Sequence, residues 1–257
     1  MRVSDNKLVG LKKVSKSLHP FEAEIGNLFS SEPLSSDPDN HCVPIYDVLQ
    51  VPGDDDSIII VMPYLREYNS PRFETVGEAV DFFSQALKGI QFMHKHQVVH
   101  RFVAFVVGYV CTLIDAHRDA NDLNIMMDAT RMYPQGFYPH AAYSDRRPDF
   151  KGRAKYYSRT QQPPKYYWID FGISSRYQSL SPPPTEVRIW GGDRSVPEFQ
   201  DNLGPHDPFP TDVYYVGHTF KKDFVEVCFL LSHSPSCSNM GSSQWLGLSS
   251  WKPSLRI

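Results

Sequence analysis

The sequence predicts an α+β fold with two lobes, in which strands dominate the first lobe and helices the second. Short strand-like runs and a single helix occupy the first 64 residues. From residue 76 to residue 94, apolar residues recur at three- and four-residue intervals, which is typical of an amphipathic helix. Strands first and helices afterwards is the element order of an α+β domain. The chain has 257 residues, 41% of them hydrophobic, which is enough to bury a core.

The first lobe is predicted to contain three strands and one helix. In order, these are a strand over 7–14, a helix over 19–31 with Glu22 and Glu24 near its start, and strands over Val43–Val51 and Ile58–Tyr64. The last two strands are joined by residues 52–56 (PGDDD), which favour a hairpin turn.

The second lobe begins with the long helix, predicted over Val76–His94. Its apolar stripe consists of Val80, Phe83, Leu87 and Ile90. Short strands are predicted over Ile125–Met127 and Tyr166–Phe171, and a further helix from Thr211. The last thirty residues contain nine serines and little periodicity, so no element is predicted there.

Bulk composition limits the partners and the location. The chain carries 26 basic and 29 acidic side chains, so no general attraction to nucleic acid or to a membrane is expected. Four scattered cysteines without C-x-x-C spacing are predicted to be reduced thiols. The N-terminus lacks the apolar core of a secretory signal, and the uncharged apolar run 102–114 is shorter than the ~20 residues of a membrane span. We expect an intracellular protein, cytoplasmic or nuclear, without a transmembrane helix.

Two short strings carry the chemistry. One is His117-Arg118-Asp119 followed by Asn124, and the other is Asp170-Phe171-Gly172 after a strand-like run. Phosphoryl transfer requires an oriented hydroxyl and divalent cations that neutralise phosphate charge. Two carboxylates and a carboxamide from separate loops can supply both. One aspartate accepts the hydroxyl proton, while the asparagine and the second aspartate hold magnesium.

The pattern H-R-D-x-x-x-x-N with a downstream D-F-G resembles the signature of the eukaryotic-type protein kinase superfamily. The resemblance implies a two-lobed protein-kinase-like fold and ATP- and Mg²⁺-dependent phosphorylation of protein hydroxyls, serine or threonine rather than tyrosine. It makes Asp119 the catalytic base and Asn124 and Asp170 the magnesium ligands. Arg118 would bind a phosphorylated activation segment. Candidate phosphoacceptors in that segment are Ser174, Ser175, Ser179, Thr185 and Ser195.

Further upstream, the resemblance assigns an ATP site. Residues 9–13 (VGLKK) resemble the strand that bears the phosphate-binding lysine, with Lys12 as the first choice and Lys13 as the alternative. Glu24 would be the ion-pair partner of this lysine, whereas the other interpretation is a solvated lysine and an ordinary helix-terminal glutamate. The adenine-binding hinge is expected at Met62, Tyr64 and Leu65. A plain strand end fits these three residues as well.

Other stretches extend the resemblance and define domains. Val196-Pro197-Glu198 resembles the A-P-E that closes the activation segment, and Thr211-Asp212 resembles the start of a helix whose aspartate braces the catalytic loop. Stretches near 41–44, 123–128 and 220–224 resemble a divergent group of fungal protein-kinase-like proteins. The implied domains are a partial N-lobe (1–63), a C-lobe (64–226) and a Ser-rich tail outside any domain (227–257).

The sequence also departs from the kinase pattern. No Gly-rich loop precedes Lys12, so the small lobe is expected to be incomplete. Asn121 stands where serine/threonine kinases usually carry lysine, which leaves the acceptor type open. The helices expected after Glu226 have no counterpart, so the large lobe is predicted to be truncated and the chain to be a fragmentary copy.

Residues 101–117 form an extra segment. Joining His100 directly to Arg118 restores the usual spacing of the kinase catalytic loop. One hypothesis is a translated intron, because the segment is a whole number of codons long and its ends are compatible with splice sites. The alternative is a genuine insertion.

A long connection, 130–165, replaces the short turn that kinases usually have. It carries eight basic residues against Asp145 and Asp149; these are Arg131, Arg146, Arg147, Lys151, Arg153, Lys155, Arg159 and Lys165. One interpretation is a docking loop for an anionic partner, and the other is a solvated, largely disordered insert.

Three functions remain open at this level. The first is a protein kinase, of which this chain is an active or a defective copy. The second is a pseudokinase that binds a partner without catalysis, which the missing Gly-rich loop favours and the retained Asp119, Asn124 and Asp170 oppose. The third is a small-molecule phosphotransferase, which would normally carry glycine in place of Arg118.

Overall fold

The computed structural model describes residues 2–5, 7–101, 124–139, 141, 143–145, 152–187, 195–201 and 204–226. Within these residues the protein is α+β, as predicted, with four α-helices and three small β-sheets. The chain divides into two compact units, Met1–Gly217 and His218–Ile257. None of the described helices is long and apolar enough to cross a membrane.

The first sheet consists of three antiparallel strands in the order β1-β3-β2. The strands are β1 (Val9–Ser15), β2 (Asp47–Val51) and β3 (Asp54–Pro63). The predicted hairpin is confirmed, but its turn is shorter than expected, since only Pro52 and Gly53 separate β2 from β3. Gly53 has a φ of 75°, a conformation that glycine adopts without steric cost. Val14, Ile58 and Ile60 form the buried core of this sheet.

Helix α1 (Glu22–Ser30) lies within the predicted range 19–31 and packs on this sheet. Ala23 contacts the core of the sheet, and Ile25 and Phe29, one turn apart, are buried. The first turn carries two acidic side chains and no side-chain cap, so their negative charge faces the positive end of the helix dipole.

Helix α2 (Val76–Lys95) confirms the long predicted helix. Thr75 caps it by accepting a hydrogen bond from the N–H of Glu78, whose own carboxylate accepts from the N–H of Glu74. Glu78 also accepts hydrogen bonds from the N–H and hydroxyl of Thr160, which ties the helix start to the long connection.

The apolar stripe predicted for α2 is not the face that is buried. Val80 and Leu87 are 56% and 46% exposed, while the buried face contains Phe82, Ala86, Gly89, Ile90 and Met93. The reason is the indole of Trp168, which donates from Nε1 to the carbonyl of Ala86 at 3.0 Å. A bulky neighbour requires small residues on the helix, and small residues give a weak periodic signal.

The second sheet has the order β4-β6-β7. Its strands are β4 (Arg66–Glu67), β6 (Ile125–Asp128) and β7 (Lys165–Trp168). Residues 41–43 run beside β7: the N–H of Trp168 donates to the carbonyl of His41 at 2.6 Å, and the N–H of Val43 donates to the carbonyl of Trp168 at 2.8 Å. Cys42 is a buried free thiol, and the other three cysteines lie outside the described residues.

The connection from β6 to β7 is anchored by a buried arginine. Arg159 is 4% exposed and donates to the hydroxyl of Tyr166 and to three carbonyls, those of Tyr68, Pro71 and Arg72. Its guanidinium also lies over the ring of Phe73. For Arg159, the prediction of a side chain available to solvent or to a docking partner is therefore wrong, because its guanidinium is buried and hydrogen-bonded inside the fold.

The third sheet pairs β5 (Val98–Val99) with β8 (Ser175–Arg176), and two helices follow. Helix α3 (Glu198–Asp201) is a single turn, and helix α4 (Pro208–Phe220) begins three residues before the predicted start at Thr211. Residues 221–226 continue from α4 as a π-helical turn. Of the predicted site, Arg118, Asp119 and the greater part of the extra segment lie outside the described residues.

Candidate active site

Asn124 and Asp170 lie at one end of the second sheet. Ile125, the first residue of β6, is paired with Trp168, the last residue of antiparallel β7. Asn124 precedes the one strand and Asp170 follows the other, so both lie at the same edge. The N–H of Ile169 donates to the carbonyl of Asn124 at 2.8 Å and fastens the two segments together. The two predicted magnesium ligands are therefore neighbours.

Lys12 reaches Asp170 from β1. Lys12 Nζ lies 2.8 Å from Asp170 Oδ1 and 2.5 Å from Glu22 Oε1. Because successive side chains of a strand point to opposite faces, Lys13 points away and lies 3.3 Å from the exposed Asp54. The structure thus favours Lys12 over Lys13, as the sequence did.

The predicted ion-pair partner of Lys12 is wrong. Glu24 lies 3.8 Å from Arg176 in an exposed pair, whereas Glu22 contacts Lys12 with a side chain that is only 4% exposed. Residues two apart on a helix face different directions, about 200° around the axis. The start of α1 at Glu22 turns that residue, and not Glu24, toward β1.

Burial and charge shift the pKa values of these three groups. Burial lowers the pKa of Lys12, but its hydrogen bonds to Asp170 and Glu22 outweigh burial and hold the pKa above its ordinary value. Burial raises the pKa of Asp170, yet the ammonium of Lys12 brings it below its ordinary value. For Glu22, burial outweighs the ammonium and the pKa is raised. At neutral pH, Lys12 and Asp170 are therefore a charged pair.

Gly172 is surrounded by polar groups of this cluster. A Cβ atom at this position would lie 3.0 Å from Asp170 Oδ1, 3.1 Å from His19 Nδ1 and 3.3 Å from Glu22 Oε2. His19 Nδ1 is 2.8 Å from the carbonyl oxygen of Gly172. His19, three residues before α1, thus contacts the Asp170-Phe171-Gly172 string directly, and a side chain at position 172 would crowd this approach by a few tenths of an ångström.

An aromatic column joins the same string to the rest of the fold. The ring of Phe171 lies 6.1 Å from that of Phe29 on α1 and 5.4 Å from that of His100. Nε2 of His100 lies 2.9 Å from the carbonyl oxygen of Ile169. The buried column fixes the backbone on both sides of Asp170.

Asp212 on α4 braces the chain at His100 and Arg101. Its carboxylate accepts the N–H of His100 at 2.7 Å and the N–H of Arg101 at 2.8 Å, and it lies 3.0 Å from Nε2 of His94. Asp212 is buried. The aspartate that the sequence predicted to brace the catalytic loop thus binds the main chain at His100 and Arg101, while His117 and Arg118 lie outside the described residues.

Backbone strain is concentrated at this site. Four described non-glycine residues have a positive φ, and three of them belong to the site: Arg101 (61°), Asn124 (48°) and Asp170 (64°). Such conformations cost of order 1 kcal/mol each and persist where the surroundings enforce them. Here the enforcing contacts are the bonds from Asp212, Ile169 and Lys12.

The three residues predicted to bind adenine are Met62, Tyr64 and Leu65. Met62 packs against the core of the first sheet at the end of β3, Leu65 is buried, and the hydroxyl of Tyr64 donates to the carbonyl of Pro139 at 3.0 Å. They occupy the connection from the first sheet to β4. Their role as an adenine-binding hinge stays a prediction.

The donor set at the edge of the second sheet suits magnesium. Mg²⁺ is usually held by one or two protein oxygens together with substrate phosphates and water. The half-exposed Asp170 carboxylate and the Asn124 carboxamide fit that requirement. The part of the chain that the structure describes contains no cluster of three or more His, Cys, Asp or Glu side chains that would enclose a metal by itself.

Sequence reasoning missed Glu22, His19 and Arg101 as members of this site. Glu22 was visible as the second acidic residue of the same helix start. Arg101 was visible too, because His100-Arg101 repeats the His-Arg of His117-Arg118. Nothing in the sequence around His19 signals its contact with Gly172.

Comparisons with known proteins give little to add. No family model matches the sequence, and no curated protein matches it. Among solved structures, the chain is similar to one from the crystal structure of the yeast RNA Pol II CTD kinase CTDK-1 complex, with 15% identity and a TM-score of 0.37. The similarity covers 68% of this chain and 42% of that one, so this chain spans less than half of that chain's length. A similarity with so low a TM-score does not establish a shared function.

Proposed function

We propose that this protein belongs to the protein-kinase type of phosphotransferases and transfers the terminal phosphate of ATP to hydroxyl groups of proteins. The observation that supports this is the convergence of Lys12, Glu22, Asn124 and Asp170 from four separate segments at one edge of the second sheet. These residues are a lysine, a glutamate and two oxygen ligands, which are the groups that bind a nucleotide and its cation. The main-chain bonds from Asp212 hold the neighbouring chain at His100 and Arg101 in place.

Each residue has a role in this proposal. The ammonium of Lys12 binds phosphate oxygens of ATP, and Glu22 holds that ammonium in position. Asp170 and Asn124 supply oxygen ligands for Mg²⁺, which neutralises phosphate charge when it is bound. Asp119 accepts the proton of the attacking hydroxyl, and Met62, Tyr64 and Leu65 contact the adenine.

The contact between Lys12 and Asp170 fits this function. With Lys12 Nζ on Asp170 Oδ1, the positive and negative charges of the site neutralise each other. Entering phosphates would compete for the ammonium while Mg²⁺ competes for the carboxylate. ATP and Mg²⁺ are therefore expected to bind together. ATP phosphates that take the Lys12 ammonium free the Asp170 carboxylate for Mg²⁺, and Mg²⁺ on that carboxylate frees the ammonium for the phosphates.

A second function, nucleotide or partner binding without catalysis, is favoured by one observation. The braced pair is His100-Arg101, and Asp119 follows Arg101 only after 17 further residues of sequence. In the kinase pattern the catalytic aspartate directly follows the braced arginine. A pseudokinase requires no such adjacency.

Binding of Mg²⁺-ATP to the full chain, measured by calorimetry, tests the proposal. Lys12→Ala is expected to weaken binding at least tenfold, because a charged hydrogen bond contributes about 1.5–3 kcal/mol. Lys13→Ala is the matched control: it removes the same charge from the adjacent residue, on the opposite face of β1, and is expected to leave binding unchanged.

Turnover separates the two functions. Phosphorylation of a protein substrate mixture that disappears in Asp170→Ala supports a kinase. Mg²⁺-ATP binding that depends on Lys12, without turnover, indicates a pseudokinase. A folded chain that binds no nucleotide, or that binds it equally well in Lys12→Ala and Lys13→Ala, contradicts the proposed site.

A further inference from the structure

The segment that follows Asp170 carries its own anionic anchor. Glu186 Oε2 lies 2.9 Å from Nε of Arg101. The hydroxyl of Tyr177 donates a hydrogen bond to the other carboxylate oxygen, Oε1. Only about a fifth of either charged side chain is exposed, 23% for Arg101 and 20% for Glu186. The ion pair is therefore largely shielded from water, which makes it stronger than a surface pair.

The backbone around Glu186 is held as well. The N–H of Glu186 donates to the carbonyl of His206 at 2.9 Å, and the N–H of His206 donates back at 2.8 Å. At the other end of the segment, the N–H of Tyr177 donates to the carbonyl of Gln97 at 2.9 Å. The main chain is thus held both at Glu186 and at Tyr177, whose hydroxyl binds the Glu186 carboxylate.

Arg101 is the centre of this arrangement. Its N–H is held by Asp212, and its guanidinium reaches Ser175 Oγ at 3.0 Å as well as Glu186. The main chain of Arg101 thereby binds α4, while its side chain joins two positions of the following segment, eleven residues apart. Loss of the carboxylate would leave a half-buried guanidinium with its charge uncompensated.

The sequence assigned the binding of a phosphorylated segment to Arg118, which follows His117 as Arg101 follows His100. Ser174, one of the candidate acceptors, is buried and donates to the carbonyl of His100 at 2.9 Å. The cavity beside the ion pair has a volume of about 30 Å³ and is lined by Arg101, Glu186, His206, Thr211, Asp212 and Tyr215. Such a volume holds one or two water molecules. The place of an anion next to Arg101 is already taken by Glu186.

We propose that Glu186 is a positioning residue whose permanent charge holds residues 175–187 against residues 97–101 without phosphorylation. The inference rests on the proposed function only in that this segment begins at the magnesium ligand Asp170. In that function, the segment would be ordered at all times, and activity would not require prior phosphorylation of the segment.

Amide hydrogen exchange of the full chain tests this without nucleotide or turnover. In Glu186→Gln, the amides of Tyr177 and Glu186 are expected to exchange about tenfold faster, because the ion pair with Arg101 is lost while the shape is kept. Glu24→Gln is the matched control. It removes the same charge from the other carboxylate that faces this segment, at 3.8 Å from Arg176, and is expected to change exchange less than twofold.

Two further arms keep the test decisive. Tyr177→Phe retains the ion pair of Arg101 and Glu186 and is expected to raise exchange over residues 175–187 less than about twofold. Exchange about tenfold faster there overturns the proposal even if Glu186→Gln does not fold, because the charge alone would then not hold the segment. Phosphatase treatment of the parent chain is expected to alter nothing. Faster exchange after that treatment, or equal effects of Glu186→Gln and Glu24→Gln, overturns it too. A chain that binds no Mg²⁺-ATP but shows the Glu186 effect contradicts only the proposed function.

Discussion

At the scale of single residues, the site depends on which of two similar side chains faces inward. Lys12 and Lys13 are adjacent, and Glu22 and Glu24 are one residue apart. For the lysines, the alternation of a strand predicts that only one can reach Asp170, and Lys12, the first choice from the sequence, is the one that contacts it. For the glutamates, the choice depends on where α1 begins and how it packs on β1. No local pattern contains that information, so the wrong residue was predicted.

Replacement of the two glutamates should therefore have unequal effects. Glu22→Gln is expected to lower the free energy of unfolding by about 1–2 kcal/mol, because a buried hydrogen bond to the Lys12 ammonium loses its charge. Glu24→Gln is expected to change it by less than about 0.5 kcal/mol, as for most exposed ion pairs. Urea unfolding of both variants measures the difference, and equal values would contradict the assignment of Glu22.

The lowered pKa of Asp170 predicts a pH dependence of stability. A carboxyl group whose pKa is lower in the folded than in the unfolded state stabilises the fold above its unfolded pKa, about 3.9. That contribution is lost as the pH falls through the folded value. The difference in unfolding free energy between the parent chain and Asp170→Asn should therefore be largest at pH 5 or above and shrink below about pH 4. A difference that stays constant down to about pH 2 would show that Lys12 does not act on this carboxyl group.

At the scale of elements, α2 shows why a correct helix can be predicted with the wrong buried face. The helix was recognised from Val80, Phe83, Leu87 and Ile90, of which only Ile90 is fully buried. The buried face is built around the indole of Trp168, whose position is set by β7. Small residues opposite a large one satisfy packing but have no strong hydrophobic signal. The buried face of α2 is therefore set by tertiary packing and cannot be predicted from hydrophobic periodicity.

Gly89 tests this packing. A Cβ atom there would lie 2.5 Å from Cδ1 and 2.7 Å from Nε1 of Trp168. Gly89→Ala is expected to destabilise the protein by about 1–3 kcal/mol, the cost of overpacking, although alanine normally favours a helix. Gly77→Ala on the same helix is the control, since its nearest neighbour is 3.7 Å away. It should leave the melting temperature unchanged or higher, and a gain for both variants would rule out the close contact with Trp168.

At the scale of the whole molecule, the strands and helices followed from sequence more fully than the site did. The hairpin, α2, α4 and the strands β6 and β7 need only local patterns and chain order, whereas the pairing of β6 with β7 came from the structure. The brace is different, because Asp212 meets residues more than a hundred positions away. The sequence contains two histidine–arginine pairs, and chain spacing already favoured His100 as the histidine of the motif. The three-dimensional contacts add that Asp212 binds the main chain at His100 and Arg101.

Removal of the extra segment is the corresponding experiment. Deletion of 102–118 and deletion of 101–117 give the same polypeptide, in which His100, one arginine and Asp119 are consecutive. In this form the aspartate directly follows the arginine that Asp212 braces, and we expect protein phosphorylation to be faster than in the parent chain. Asp170→Ala in the shortened form should abolish it. A shortened form that folds and binds Mg²⁺-ATP but transfers no phosphate would favour the pseudokinase.

The brace from Asp212 has a consequence for how the chain tolerates change. Its carboxylate accepts two main-chain N–H groups, those of His100 and Arg101. Every residue except proline has a main-chain N–H, so these two hydrogen bonds do not require particular side chains at the two positions. Additional chain inserted after Arg101 leaves both donors where they are. The brace can thus stay intact when the number of residues between Arg101 and Asp119 changes, so that a change of length that affects the proposed catalysis need not affect the fold.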